Sequence, residues 1–491
     1  MNTTTTQLSV FLFVTILIGA LTYWHCRGKG DRKSNQNKEY FLAGGGLAWY
    51  FVAGSITLTN LSTDQLVGMN GNQMALLALW EFSAVVGLFL LAKVFLPVYY
   101  RYECTTTTEL LEKRYNDKHI RAIISLLFFL GSALIFCPAV IYSGALFMQK
   151  MFNVDISIMT ISIAFAIVGA MYAVFGGLRA VAVSDTYSGV LLLFMAILVV
   201  FLALNAIDYN FEGIPKERLT LIGDNDSPIP WHTLLTGMIF IQMFYWGTNQ
   251  VITQRAMAAP NIKEAQKGVL AAAGIRLLIV PSIIVIPGIV SYKLYGDIGD
   301  AAYGTIVFDL LPAWLSGVFA AAMAAAVLTT YNSNLNSATA LYVCDIHEAY
   351  INDKPNVPVL SGFVTILITI LSLVLVQVYA QAESIINLIQ QLYGLLSMPI
   401  LSVFILGLVF KNVHARVGIF SVVFGVIMYA SLTFEVSPIF VQDQLHFIHL
   451  MFITLLTCIS LALILNWLFY KQPPQLTMEA FRNKTTQPTA S

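Results

Sequence analysis

The chain predicts an all-α integral membrane protein of about thirteen transmembrane helices, and three observations carry that reading. The 491 residues are 58% hydrophobic and 11% charged, with a mean hydropathy of +0.76. Soluble domains are about a quarter charged. Apolar runs recur at the ~20-residue length needed to cross a bilayer. Basic residues cluster in alternate connections between those runs, as the retention of Lys/Arg-rich loops on the cytoplasmic side requires. Net charge is zero, so nothing points to a nucleic acid partner.

Taken in order, the runs fall near 6–26, 46–71, 76–99, 120–150, 155–175, 181–206, 230–256, 265–293, 303–344, 357–379, 384–409, 414–433 and 446–470. The first lacks a basic leading segment and is followed by Arg27, Lys29, Arg32, Lys33 and Lys38. It therefore reads as a retained helix with its N-terminus outside rather than as a signal peptide. In the run 303–344, Pro312 should separate a short outer helix from a long inner one. Residues 100–121 are basic, and Arg179, Arg255, Lys263, Lys267, Lys411, Arg416 and Lys471 fall on that same side. The opposite connections hold Asp208, Glu212, Asp224, Asp226, Asp297 and Asp300. This pattern puts the C-terminal tail from Lys471 in the cytoplasm.

Two runs carry polar clusters. Thr57 to Gly71 reads TLTNLSTDQLVGMNG, and Gln242 to Gln250 reads QMFYWGTNQ. Polar groups at membrane depth are costly and face a cavity or a bundle interior. Interrupted helices at corresponding places in two halves mark the binding site of an inverted-repeat transporter. The clusters fall in the first and sixth spans of a ten-span core. The expected parts are a leading helix and loop at 1–45, repeats at 46–206 and 207–410, and trailing helices with a tail at 411–491.

Other chemistries find no support. The five cysteines, Cys26, Cys104, Cys137, Cys344 and Cys458, are scattered without metal-ligand or disulfide spacing. The seven histidines form no proton-relay pattern in the sequence, and there is no nucleotide-binding G-x-x-x-x-G-K-[ST] loop. The expectation is a carrier, not an enzyme.

YFLAGGGLAW (Tyr40 to Trp49), TNLSTDQLVGMNG (Thr59 to Gly71), YAVFGGLRAVAVSD (Tyr172 to Asp185), FYWGTNQVITQRAMAA (Phe244 to Ala259), EAQKG (Glu264 to Gly268) and LNSATALYVCDI (Leu335 to Ile346) occur in that order. In these blocks the chain resembles the sodium:solute symporter family, and within it the bacterial sodium–sugar symporters related to intestinal sodium–glucose transporters. The resemblance implies a five-plus-five inverted-repeat, LeuT-like core with broken first and sixth core helices. It implies import of a galactose- or glucose-like hexose by alternating access, with Na⁺ as the coupling ion, in a bacterial inner membrane.

By the same resemblance the sodium ligands are the carbonyls of Leu58, Leu61 and Ala326 and the hydroxyls of Thr329 and Thr330. Read as residues alone, the two threonines could equally bond back to their own helix. Asp185, with Asn332 and Ser333, matches a second sodium site or exit path; an aspartate paired with a nearby Arg is the plain alternative. The positions matching sugar contacts are Asn60, Gln65, Glu81, Gln242, Arg276 and Gln390, with Tyr245 as inner gate, Met69 as outer gate and Tyr142 as a weaker gate candidate. A structural Glu81–Arg276 pair is the rival for those two. Arg276 and Gln242 stand where sugar carriers tend to have Lys and Asn, and Arg is a planar fork suited to carboxylate. A sugar acid or another small organic solute is therefore an alternative substrate, and a proton-coupled carrier using Asp64 or Glu81 is another. The expected partners are the solute, sodium and membrane lipid.

Overall fold

The computed structural model describes residues 3–26, 41–434, 445–477 and 480. The basic connection 27–39 and the Tyr40 that opens the first family-like block lie outside the described residues.

Sixteen helices matter for the site. They are α1 (Thr3–Cys26), α2 (Trp49–Asn60), α3 (Thr63–Gly71), α4 (Ala75–Arg101), α5 (Glu109–Tyr115), α6 (Lys118–Phe152), α7 (Ile158–Ala206), α8 (Gly237–Gly247), α9 (Gln250–Met257), α10 (Ile262–Tyr295), α11 (Ala302–Leu310), α12 (Ala313–Tyr350), α13 (Val357–Tyr379), α14 (Ile385–Val409), α15 (Ala415–Thr433) and α16 (Phe447–Tyr470). Ten stretches of these are long and apolar enough to cross a membrane. The chain is nearly all helical. Among the described residues, strand pairing is confined to a two-residue antiparallel pair, β1 (Phe410–Lys411) with β2 (Gln475–Leu476), and an isolated bridge between Gly223 and Pro230. Buried Asn466 holds the connections beside it together, bonding the carbonyls of Asn412 and Gln472 at 2.7 and 3.1 Å.

Both polar clusters break their helices. At the first, the Ser62 N–H turns back to the Asn60 carbonyl at 2.9 Å instead of reaching Leu58, its partner in a continuous helix. The chain is extended at Ser62, and α3 restarts with Leu66 N–H on the Ser62 carbonyl at 2.9 Å. Asn60, Ser62, Thr63 and Asp64 offer the backbone side-chain partners that compete with helix. Asp64 in the first turn of α3 also suits the positive end of that half-helix. At the second break, the N–H groups of Thr248 and Asn249 both point to the Phe244 carbonyl, at 3.0 and 3.2 Å. The Asn249 side chain then caps α9 through Val251 N–H at 3.0 Å.

A proline on α10 fixes where α3 sits. Pro287 has no N–H, so the Ile283 carbonyl loses its helical donor. The Asn70 amide supplies one at 3.1 Å and takes the Gly288 N–H at 2.8 Å. One side chain thus repairs the kink and joins the two helices.

Helix α7 is 49 residues long, more than twice what one crossing needs. Its start neighbours the end of α6, where Gln149 bonds the Ile156 carbonyl at 2.7 Å. Its end leads to Asn210, bonded by Lys293 at the end of α10. Both lie on the face with the acidic connections, whereas Tyr187 contacts His25 at the far end of α1 at 3.3 Å. Both ends of the run thus lie on one face and Tyr187 toward the other. At Pro312 the sequence reading also holds: α11 stops at Leu310 and α12 starts at Ala313.

Candidate functional site at the two helix breaks

A central cavity lies between the breaks, with about 790 Å³ of atom-free space including its opening. Asn60, Gln65, Met69, Glu81, Gln242, Tyr245, Arg276 and Gln390 all line it. Five helices, α2, α3, α4, α8 and α10, and the start of α14 supply them.

Glu81 and Arg276 are both fully buried. The guanidinium Nη2 lies 2.6 Å from one carboxylate oxygen and 2.7 Å from the other. The Gln65 amide donates to Glu81, and its oxygen accepts from Arg276 at 3.4 Å. Each charge is thus neutralised within the bilayer, where an unpaired one would cost several kcal/mol (~2.5–3.5 on insertion scales). The guanidinium stands 5.0 Å from the centre of the Trp246 ring. Its Nε and Nη1 have no protein partner. The Trp246 indole donates to Gln242 Oε1 at 2.9 Å, and Gln242 Nε2 donates to Ser83 at 2.9 Å. Ser83 faces Gln242 and does not line the cavity. Across the floor, Asn60 Nδ2 donates to the Tyr245 hydroxyl at 2.8 Å.

The first break releases the backbone oxygens expected at a sodium site. Leu58 loses the Ser62 N–H, and the Gln65 N–H faces the Asp64 carboxylate rather than Leu61. On α12, the Thr330 hydroxyl is buried without a protein partner, while Thr329 donates to the Ala326 carbonyl at 3.3 Å. So Thr329 does bond back to its own helix, and Thr330 does not. The first break and the Thr330 hydroxyl fit a small hard cation held by oxygens.

Asp185 is fully buried and accepts from Ser55 at 2.6 Å, with Thr59 and Thr329 beside it. Arg255 stands 4.0 Å away and donates to Ser55 at 2.9 Å and to Ser333. Ser333 in turn bonds the Thr329 carbonyl at 2.6 Å. Asn332 is buried with both amide atoms unpartnered. Asp185 and Ser333 are therefore joined through Arg255 and Ser55.

One sequence expectation changes: Tyr142 does not line the cavity; it lies beside Asp300 on the acidic face. Two histidines also pair: His232 Nδ1 is 2.6 Å from His449 Nε2, with Asn225 and Thr236 at the outer ring nitrogens. Their separation of 217 positions hid this from the sequence. Reasoning from sequence also missed Tyr393, which lines the cavity, receives the Asn249 amide at 2.9 Å and packs 5.9 Å from the Tyr245 ring. Asn249 was visible as a polar residue in the second break; Tyr393 carried no local signal.

The sodium:solute symporter family model matches residues 40–425. The "Uncharacterized symporter YidK" of Escherichia coli is 33% identical over 97% of this chain and 86% of its own length. The sodium/glucose cotransporter of Vibrio parahaemolyticus is 30% identical, covering 91% and 87%. Sodium/myo-inositol cotransporter 2 of Oryctolagus cuniculus is 28% identical, over 81% of this chain and 65% of that protein. A solved structure of a substrate-bound, outward-open Na⁺-coupled sialic acid symporter aligns with a TM-score of 0.80 at 18% identity, covering 96% of this chain and 98% of that one. MhsT in complex with L-phenylalanine aligns with a TM-score of 0.52 at 13% identity, covering 85% and 98%. These two show the fold. With family blocks in order, two helices broken around one polar cavity, and relatives aligned over nearly the full length, the chain belongs to the sodium:solute symporter family and is a multi-pass membrane protein that couples a small-molecule solute to sodium.

Proposed function

We propose that the protein imports a neutral, polyhydroxylated solute of hexose size, resembling galactose or glucose, by sodium-coupled alternating access without covalent chemistry. The observation that carries this is the internally neutralised Glu81–Arg276 pair in a cavity also lined by Asn60, Gln65, Gln242 and Gln390. Such a site offers convergent donors and acceptors and leaves its one lining cation, Arg276, paired, beside the Trp246 and Tyr245 rings; the lining carboxylate of Asp64 accepts from Ser62. Sodium would bind at Leu58, Leu61, Ala326, Thr329 and Thr330, tying both sides of the first break to α12. Asp185, Asn332 and Ser333 would line the way out or a second ion site. Tyr245 would close the cavity toward the cytoplasm and Met69 toward the outside.

One positive charge moving down 100 mV supplies about 2.3 kcal/mol, and a tenfold sodium gradient adds about 1.4 kcal/mol. Together they sustain a solute gradient of roughly 500-fold per ion. With the ten long stretches, the broken pairs α2–α3 and α8–α9 and the segment Ile158–Ala173 would make thirteen crossings. The two inverted repeats would occupy 46–206 and 207–410. The N-terminus would lie outside and the tail in the cytoplasm, in a bacterial inner membrane.

A second reading, a sugar acid, is favoured by the unpartnered Nε and Nη1 of Arg276. Uptake of radiolabelled galactose, glucose, myo-inositol and galacturonate into proteoliposomes, with and without an inward sodium gradient, separates the two. Sodium-driven uptake of a neutral compound, lost in Thr330→Ala, is expected. Uptake of galacturonate alone would replace the neutral solute by an acid.

A further inference from the structure

Above the cavity, on the acidic face, three elements close together. A side chain at Gly68 of α3 would meet Ile386 Cβ of α14 at 2.8 Å. One at Gly71 would meet the Asp300 backbone, Cα at 2.9 Å and N at 3.1 Å. Between those glycines Met69 is 2% exposed, and with Ile386 and Ile389 it lines the cavity. The turn Gly299–Ala301, which carries Asp300, links α10 to α11. Asp300 Oδ2 accepts the backbone N–H of Ile385, the first residue of α14, at 2.9 Å. A polar bond from a separate loop thus holds the start of α14 where α3 abuts it.

We propose that Asp300 is a positioning residue for the outer gate: its ionised carboxylate latches the start of α14 against the outer half of the first broken helix, and its protonation frees the cavity to open outward. This rests on the transport reading and on the orientation proposed above. An ionised carboxylate at a helix N-terminus makes a charge-assisted bond, roughly twice as strong as a neutral one, and complements the helix dipole. Asp300 has no ion-pair partner among the described residues. The titratable groups on neighbouring elements are Tyr142 and Lys150 of α6, Asp297 in its own loop, bonded by Arg218 at 2.9 Å, and Glu383 just before α14. Burial pushes the Asp300 carboxyl up to about 6, opposed by the Ile385 N–H. Below that pH the carboxyl is neutral and the latch is weakened; above it the latch is charged and closed.

The test places a single cysteine at Met69 in a chain whose five native cysteines are replaced. A membrane-impermeant methanethiosulfonate is applied from each side of sealed vesicles, without solute or sodium. Rates are normalised to a cysteine at exposed Ile222, which corrects for thiol ionisation. Between pH 7.5 and pH 5.0 the rate from outside should rise by up to about thirty-fold, following the protonated fraction of a group titrating near 6. Asp300→Asn, a neutral acceptor, should give the fast rate at both pH values. A flat profile in the native background would overturn the latch, as would a slow rate in Asp300→Asn at pH 7.5 or labelling from the inside alone. The native profile needs no change at Asp300, so a poorly folding variant leaves the test intact. The readout uses no solute, so uptake with a flat profile removes the latch alone, and a pH-dependent profile without sugar uptake removes only the solute assignment.

Discussion

Arg276 and Glu81 are the two charges most deeply committed to the cavity. Burying an ion pair rarely stabilises a fold over apolar packing, but breaking one from a single side costs about 3–5 kcal/mol. Glu81→Gln and Arg276→Met should each lower thermal stability by an amount in that range. The double variant should recover much of it, since no uncompensated charge is left. Uptake should be lost in all three. If the double variant is as unstable as the sum of the singles, the pair does not act as a unit. If it still transports, the pair is a structural clamp and the Gln65, Glu81 and Arg276 triad is not a binding group.

At the scale of elements, the second broken helix depends on Asn249 twice: its oxygen caps α9 and its amide donates to Tyr393 on α14. Removing a cap costs about 1 kcal/mol. Asn249→Ala should lower stability by about that much and also slow uptake. Serine can still cap through Val251 N–H but is too short to keep the bond to Tyr393. Asn249→Ser should therefore restore stability and not the rate. Equal behaviour of the alanine and serine variants in both measurements would show that the Asn249–Tyr393 bond does not contribute to transport. The Asn70 splice into the Pro287 kink works the same way, with one polar side chain serving the backbone needs of two helices.

For the whole molecule, the proposed sodium site is made jointly by α2, the break after it and α12, so occupancy there should stabilise the folded protein as a unit. At a hundred times its dissociation constant a ligand adds about 2.7 kcal/mol. Purified protein should unfold at a higher temperature in sodium than in potassium, and Thr330→Ala should abolish the difference. A sodium shift that survives in Thr330→Ala would move the ion away from these hydroxyls. The trailing helices are tied to this core at a distance. The His232–His449 pair joins the connection before α8 to the start of α16, and Gly237 of α8 lies close against Ile448.

The sequence by itself determined the class of the molecule and the places where its helices break, and through the family resemblance it named eight of the residues that line the cavity. The first two are local properties: apolar length answers to bilayer thickness, loop charge to the membrane, and polar side chains in an apolar run to backbone competition. A charge such as Arg276 in AAAGIRLLIVP is conspicuous because hydrocarbon does not tolerate it unpaired. Partner choice was a different matter. Asn249 with Tyr393, Arg255 with Ser333, Asn70 with the Pro287 kink, and Asp300 with the first residue of α14 are contacts between residues from 78 to 218 positions apart. Only the tertiary structure decided them, because which polar group satisfies which depends on how the helices pack and not on any pattern along the chain.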